Sequence, residues 1–427
     1  METKHWSSVL NVITDIKEKY INKFNTITYN KGDYETCLIR WIAELNDELY
    51  LSMFAPIQTS QNGELVLVRY GEYSDVFGGE SEIVYDEFWD RFDNFYRECR
   101  SIVINVVSDE IAILPFNKFF NINELDETNI DVVKERMLNA KSIEITDKLD
   151  GSMQCGRFYN NKIIMSGSKS LSVNDSWRLA DGYKMLTTNE NYVQMLAENP
   201  DLTFIFEYLS YEDSHVVIYS EDDYGLHLIG VRNTITGELY SYHVMLDYAK
   251  KYNVKTTTLF VDKTLDEIME SLDDYKSNEK EGFVLNIDNF MVKIKYNDYV
   301  AMHKILSQIS SINLIIKAIG DGIFDDFISK IPTSYRQRVL DVANKIFKYM
   351  SLIKTDIEKY YNQTIEMEFV EKMKYIQQNV PKSLRGMVIN KVKGNEINVI
   401  KRKSGNYIKI KEIENFLLEK ENGNEII

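Results

Sequence analysis

Lys148 stands in the string Thr146-Asp147-Lys148-Leu149-Asp150-Gly151-Ser152, a K-x-D-G pattern. A lysine amine attacks phosphorus well once it is neutral, and neighbouring cations lower its pKa toward that state. Asp150 follows closely enough to reach the lysine or its substrate, and Gly151 permits a close backbone approach to a nucleotide. By itself the tetrapeptide also reads as a solvated turn. Three later segments weigh against that reading. Thr203-Phe204-Ile205-Phe206-Glu207-Tyr208 is an apolar, aromatic strand with a carboxylate near its end. Glu281-Gly282-Phe283-Val284-Leu285 is a strand that opens on a carboxylate. Met291-Val292-Lys293-Ile294-Lys295-Tyr296 puts two lysines on one face, because strand side chains alternate. Asp288-Asn289 joins the last two strands as a tight hairpin. Each piece alone is a solvated strand end or an exposed face. A nucleophile, two carboxylates and a lysine pair in this order call for a common site.

The elements that must hold these groups follow from the periodicity. Residues 5–25 read as a helix, with Trp6, Val9, Leu10, Ile13 and Ile16 at helical spacing. Asn62-Gly63 before Leu65-Val66-Leu67-Val68 signals a hairpin. Arg100–Val107 and Ile111–Phe116 read as paired strands across Ser108-Asp109-Glu110. A helix over Ile130–Asn139 precedes the strand that carries Lys148. After His303 the pattern turns helical over 305–319, 324–331 and 334–353, with Pro332 as a break. Residues 397–410 read either as a hairpin at Ser404-Gly405-Asn406 or as broken helix. The expected class is α+β: antiparallel sheets with flanking helices over 1–310, then a mostly helical domain over 311–427.

Composition narrows the classes further. A chain of 427 residues can bury two or three cores. Cys37, Cys99 and Cys155 are far apart and fit no metal spacing, which suggests a reducing cytosol. Five scattered histidines argue against a histidine-based metal or triad site. The start lacks an apolar export segment, and no run reaches membrane-spanning length. A cytoplasmic protein with no membrane partner, working as a monomer, is expected. The net charge of −16 is unevenly spread. Residues 311–427 hold 20 Lys and Arg against 15 Asp and Glu. Between Tyr375 and Lys411 there are nine basic residues and one acid, Glu396. Such asymmetry is an electrostatic footprint for phosphates, or else a solvated basic surface.

With these motifs in order, the chain resembles the covalent nucleotidyltransferases, which comprise ATP-dependent DNA ligases, RNA ligases and RNA capping enzymes. It is most similar to the tRNA-repairing RNA ligases of the bacteriophage T4 type. That family has an E-C-R before the lysine, here Glu98-Cys99-Arg100, and a K-F-F-N, here Lys118-Phe119-Phe120-Asn121. Its last motif runs on from Lys293-Ile294-Lys295 through Tyr299-Val300 and His303-Lys304. The likeness covers roughly 65–305 by motif. Ser101 departs from it, standing where glycine is usual, and the N-terminal segment is longer.

The resemblance implies joining of RNA 5′-phosphate and 3′-hydroxyl ends, with ATP and Mg²⁺ or Mn²⁺, on a broken tRNA. Lys148 would take AMP from ATP, with its pKa depressed by Lys293 and the metal. Asp150, Lys293 and Lys295 would complete the catalytic set. Arg100 and Lys118 would hold ribose or outer phosphate oxygens, Lys169 would be a phosphate ligand, and Glu207 would accept from a ribose hydroxyl. Phe120 would stack on the purine or pack in the core. Glu281 would lie near the metal, with Asp325 or Asp326 as a further ligand. A DNA ligase or capping enzyme would share the core motifs but follow them with a small β-barrel rather than helices. A non-catalytic RNA-binding relative would not retain every nucleophile and phosphate-binding position.

Overall fold

The structure is a computed structural model, and it describes residues 5–25, 37–53, 57–59, 64–70, 85–174, 176–213, 216–301, 303, 312–329, 331, 333–395, 397–402 and 405–421. The chain divides into two compact units, Met1–Met302 and His303–Ile427.

The first unit starts with helices α1 (Ser8–Phe24), α2 (Cys37–Leu45) and α3 (Glu48–Met53). Helix α1 begins at Ser8 because Ser7 caps it, its hydroxyl accepting the Leu10 N–H at 3.2 Å. Strands β1 (Ile57–Thr59) and β2 (Leu65–Arg69) pair antiparallel; the Asn62-Gly63 turn lies outside the described residues. Helix α4 (Tyr85–Glu98) leads into β3 (Arg100–Asn105) and β4 (Glu110–Ile113), the strand pair expected from the pattern but each ending earlier than expected. The order β1-β2-β3-β4 makes the first sheet. Val66, Val68, Ile102 and Ile104 face the helices, while Leu65, Leu67, Val103 and Ile113 face a second sheet. The N-terminal segment therefore builds one side of this unit's core.

The short strand β5 (Phe120–Asn121) comes next, then α5 (Ile130–Asn139), β6 (Ile143–Lys148), β7 (Ser152–Tyr159) and β8 (Lys162–Gly167). Helices α6 (Trp177–Thr188) and α7 (Glu190–Ala197) precede β9 (Leu202–Leu209) and β10 (Gly225–Asn233). Helices α8 (Tyr242–Lys251) and α9 (Leu265–Glu270) precede the hairpin β11 (Gly282–Ile287) and β12 (Phe290–Lys295). Asp288 and Asn289 both have positive φ, 49° and 73°, as a two-residue hairpin turn demands. The second sheet runs β10-β9-β7-β8 and the third β5-β12-β11-β6. Helices α6, α7 and α8 cover the outer face of the second sheet through Leu179, Met195 and Met245.

The second unit is helical: α10 (Ile312–Gly320), α11 (Phe324–Ser329), α12 (Thr333–Asn362), α13 (Phe369–Asn379), α14 (Arg385–Val392) and α15 (Ile410–Glu421). The first part of the helix expected over 305–319, and Pro332, lie outside the described residues. Helix α12 runs past the expected end at 353 because the buried row Ile346, Tyr349, Ile353 continues to Ile357. Residues 401–402 and 405–407 fit the hairpin alternative, while Lys403 and Ser404 lie outside the described residues. Lys401 bridges Tyr407, the Arg402 N–H reaches the Asn406 carbonyl at 2.8 Å, and Gly405 has φ 85°.

Candidate active site

Strand register assembles the site. On β6, β11 and β12, Gly282 pairs with both Lys148 and Lys295; one row on, Val284 pairs with Thr146 and Lys293; then Asn286 pairs with Glu144 and Met291. Directly opposed side chains share a face. That face floors a cavity of about 290 Å³, roofed by Gly151, Met153, Glu207, Ile229 and Leu239 and flanked by Arg100, Phe116 and Phe119. The volume matches the lower end of small-ligand sites, about 300 Å³.

At the cavity floor Lys148 and Lys295 belong to a three-membered ion cluster with Glu281. Lys148 Nζ is 2.7 Å and Lys295 Nζ 2.9 Å from the Glu281 carboxylate, which is 3% exposed. Burial pulls the Lys148 pKa down, but Glu281, Glu207 and Asp150 outweigh it and leave it above the ordinary value. Lys293 alone therefore does not give the depression expected from it together with a metal: a carboxylate in contact outweighs a cation that is not. Burial opposes ionisation of Glu281, yet the two lysines hold its pKa below the usual range. The depressed lysine is Lys293. Burial, then repulsion from Arg100, Lys118, Lys148 and Lys295, puts it well below the ordinary value. Burial pushes Glu207 up to about 7, and its carboxylate accepts the Gly151 N–H at 3.1 Å. Burial also raises Asp147, a cavity residue that sequence reasoning missed.

Several expected roles change. Asp150 is 5% exposed and does not line the cavity; its carboxylate accepts from Val216 N, Val217 N and Tyr299 Oη, each at 2.8 Å. It fastens the segment after β9 to the chain after β12. Gly151 lacks a side chain for a different reason than expected. A Cβ there would meet the Tyr208 carbonyl at 2.3 Å, so the close approach is to β9. Phe120 is 1% exposed and packs edge-on against Trp89 at 5.1 Å, a core residue not free to stack on a purine. Its neighbour Phe119, just before β5, lines the cavity instead, 4.7 Å from Lys293 Nζ and 4.7 Å from the Arg100 guanidinium. Lys169 is exposed in the turn after β8, while its neighbour Ser168 lines the cavity. Asp325 and Asp326 are exposed at the start of α11, in the second unit.

Arg100 and Lys118 approach from the first sheet. Ser101 has φ 69° and sits at a register shift between β2 and β3. Glycine suits that conformation, and the Ser101 hydroxyl offsets the strain by donating to the Ser168 carbonyl at 2.6 Å. The bulge aims Arg100 at the cavity. Lys118 lines a second chamber of about 320 Å³ that shares Phe116, Phe119, Leu239 and Met291 with the first. Its ammonium stands 5.1 Å from the Tyr70 ring and 5.3 Å from those of Trp89 and Phe120. Arg232, also unforeseen, lines this chamber.

Residues 98–301 match the RNA ligase family. The chain resembles ATP-dependent RNA ligases of the bacteriophage T4 type, and the matched span contains every cavity residue named above. The chain is 24% identical over 308 residues to a candidate RNA ligase of Thermovibrio ammonificans, covering 68% of this chain and 77% of that protein. It is 29% identical over 250 residues to a candidate bifunctional polynucleotide kinase/RNA ligase of Autographa californica nuclear polyhedrosis virus. That match covers 55% of this chain and 35% of the viral protein. Among solved structures, Naegleria gruberi RNA ligase with pyrophosphate matches at 19% identity and TM-score 0.32, over 41% of this chain and 55% of that one. A variant of the same ligase with ATP and manganese matches at 18% and TM-score 0.34, over 45% and 58%. The chain thus spans about a third of the viral protein and just over half of the Naegleria ligase.

Among the described residues, no cluster of three or more His, Cys, Asp and Glu could hold a metal, and no helix is long and apolar enough to cross a membrane.

Proposed function

We propose that the chain is an ATP-dependent RNA ligase that seals 5′-phosphate and 3′-hydroxyl ends through AMP carried on Lys148. The observation that carries this reading is the contact of Lys148 and Lys295 with one buried carboxylate, on a cavity floor that also bears Lys293.

Three transfers at phosphorus follow. Lys148 Nζ attacks the α-phosphorus of ATP; a P–N bond forms, the bond to pyrophosphate breaks, and the amine loses its proton. An RNA 5′-phosphate oxygen then attacks the same phosphorus and releases the amine. A 3′-hydroxyl oxygen finally attacks the RNA phosphorus, loses its proton and expels AMP. Each step needs charge neutralised around phosphorus and reactants held in line. Lys293 and Lys295 serve the α-phosphate. Arg100 and Lys118 serve the outer oxygens from the flank. Phe119 replaces Phe120 as the aromatic surface, and Glu207 accepts from a ribose hydroxyl.

Lys148 in its ion pair with Glu281 is a protonated, poor nucleophile. Magnesium keeps several waters and needs only one or two protein carboxylates, a need that Glu281 beside the phosphate-binding lysines could meet. Glu281 would hold such an ion, which would supply positive charge at the α-phosphate and free the lysine from its carboxylate. Asp325 and Asp326 stay secondary metal candidates, and Lys169 a phosphate candidate at the cavity rim. The helical unit, acting in a cytoplasmic monomer, would engage a broken tRNA.

The test is incubation with α-labelled ATP and magnesium, then with 5′-phosphorylated RNA. Labelled protein followed by circular RNA is expected. Absence of labelled protein defeats the reading; labelled protein with no sealed RNA moves the activity to another nucleotide-transferring class.

A further inference from the structure

The residues before α1 wrap onto the far side of the cavity wall. Glu98, of the E-C-R string, is 9% exposed and seizes the start of the helix. Its carboxylate accepts from Ser7 Oγ at 2.7 Å, Ser8 N at 3.1 Å and Val9 N at 3.2 Å. Carboxylates suit a helix N-terminus, whose first N–H groups lack partners. The preceding residue, Trp6, is thereby held over the turn after β10. Its indole Nε1–H donates to the Ile235 carbonyl at 2.7 Å, and its ring covers Gly237 so closely that a Cβ there would come within 2.9 Å. On its inner side the same turn grips Arg232, whose Nη2 donates to the Gly237 carbonyl at 2.7 Å. Arg232 Nη1 donates to the Pro115 carbonyl at 2.6 Å and to Asn117 Oδ1 at 2.9 Å. Asn117 adjoins Lys118 and Phe119, and its carbonyl accepts from Arg100 at 3.2 Å.

A continuous set of contacts therefore runs from Trp6 through the 233–237 turn and Arg232 to the segment bearing Lys118 and Phe119. We infer that the N-terminal arm is a brace, with Trp6 as a positioning residue that fixes the cationic flank of the cavity for the outer phosphates of the nucleotide. Trp6 touches neither chamber; it acts by keeping the turn pressed on Arg232. Buried Arg232, whose two Nη atoms donate to three acceptors, cannot shift without moving Pro115 and Asn117.

The inference rests on the ATP-dependent reading above, so wild-type labelling by α-labelled ATP is the control: its absence defeats that reading and the brace with it. With labelling established, Trp6→Ala is expected to raise the KM for ATP about tenfold, the scale of one lost hydrogen bond plus packing, and to change kcat less. Trp6→Phe keeps the ring but not the donor and should recover part of the KM. An unchanged KM in a folded Trp6→Ala protein overturns the brace, as does a loss confined to kcat. If Trp6→Ala does not fold, Trp6→Phe alone decides: a raised KM supports the brace, and a wild-type KM overturns it.

Discussion

At Lys148 the identity of the residue and its state are separate matters. The amine is placed for attack, yet Glu281 keeps its proton on in the free protein. Lys148→Ala is expected to abolish labelling by ATP. It should still seal RNA whose 5′ end already carries AMP, because the last transfer does not use the amine. Covalent labelling that persists in Lys148→Ala would refute the assignment of the nucleophile. Glu207 gives a readout independent of activity. Its folded pKa is raised from 4.5 to about 7, so the folded state holds a proton that the unfolded chain has released. Stability from this group is present below pH about 4.5 and lost as pH climbs through about 7. Glu207→Gln should therefore remove a loss on the order of 3 kcal/mol between those limits, seen as a smaller difference in urea midpoint between pH 5 and pH 8. Equal pH dependence in both proteins would mean that burial does not govern this carboxylate.

The element that matters most is the β11–β12 hairpin. Its two-residue turn and antiparallel register bring Lys148 and Lys295 to either side of Gly282. A backbone with φ 151° at Gly282 has no room for a side chain, since a Cβ would lie 2.0 Å from the Ile294 carbonyl. Lys293 and Lys295, two apart on β12, share the floor but not an environment. Lys295 has a carboxylate partner, and Lys293 faces an aromatic ring and four cations. An arriving phosphate would give Lys293 the anion it lacks. Either lysine changed to Ala should slow adenylation about a hundredfold, the scale of one electrostatic stabiliser removed. Lys295→Arg should restore little, because a planar guanidinium cannot share Glu281 with Lys148 as a compact ammonium does. Single-turnover labelling rates measure both, and a near wild-type rate in either Ala variant would remove that lysine from the site.

Across the whole molecule the acidic first unit is followed by a basic helical one. The cluster Lys401, Arg402 and Lys403 is the obvious phosphate contact in sequence, but two of its members are engaged. Lys401 pairs with Asp321 at 3.0 Å and Arg402 with Glu412 at 2.5 Å, and Lys403 lies outside the described residues. Lys382, Lys393, Lys409 and Lys411 are exposed and have no carboxylate pair among the described residues. Phosphate contacts release counterions, so each one lost lowers the log–log salt slope of binding by about one unit. Replacing Lys382, Lys393 and Lys409 by Gln should flatten the slope for a nicked anticodon stem-loop more than Lys401→Gln with Arg402→Gln, and leave ATP labelling intact. Filter binding across a salt series measures this; equal slopes for both sets and wild type would leave the basic face merely solvated.

The sequence by itself determined the reactive inventory and the local frame. Lys148, Glu207, Glu281, Lys293 and Lys295 were legible because K-x-D-G, a strand-end carboxylate and K-x-K each restrict local geometry. The α5 limits and the Asp288-Asn289 turn were legible because period and turn chemistry are short-range. Only the tertiary structure decided which neighbour each group meets. It paired Lys148 with Glu281 over 133 residues of chain, and so raised the lysine's pKa in the free protein. It buried Phe120 and exposed Phe119 to the cavity, withdrew Asp150 into a positioning network, and brought Arg232 and Asp147 into view. It also split the basic cluster into engaged and exposed lysines. Charge state and burial depend on partners remote in sequence, and electrostatic energy falls with distance in space rather than along the chain.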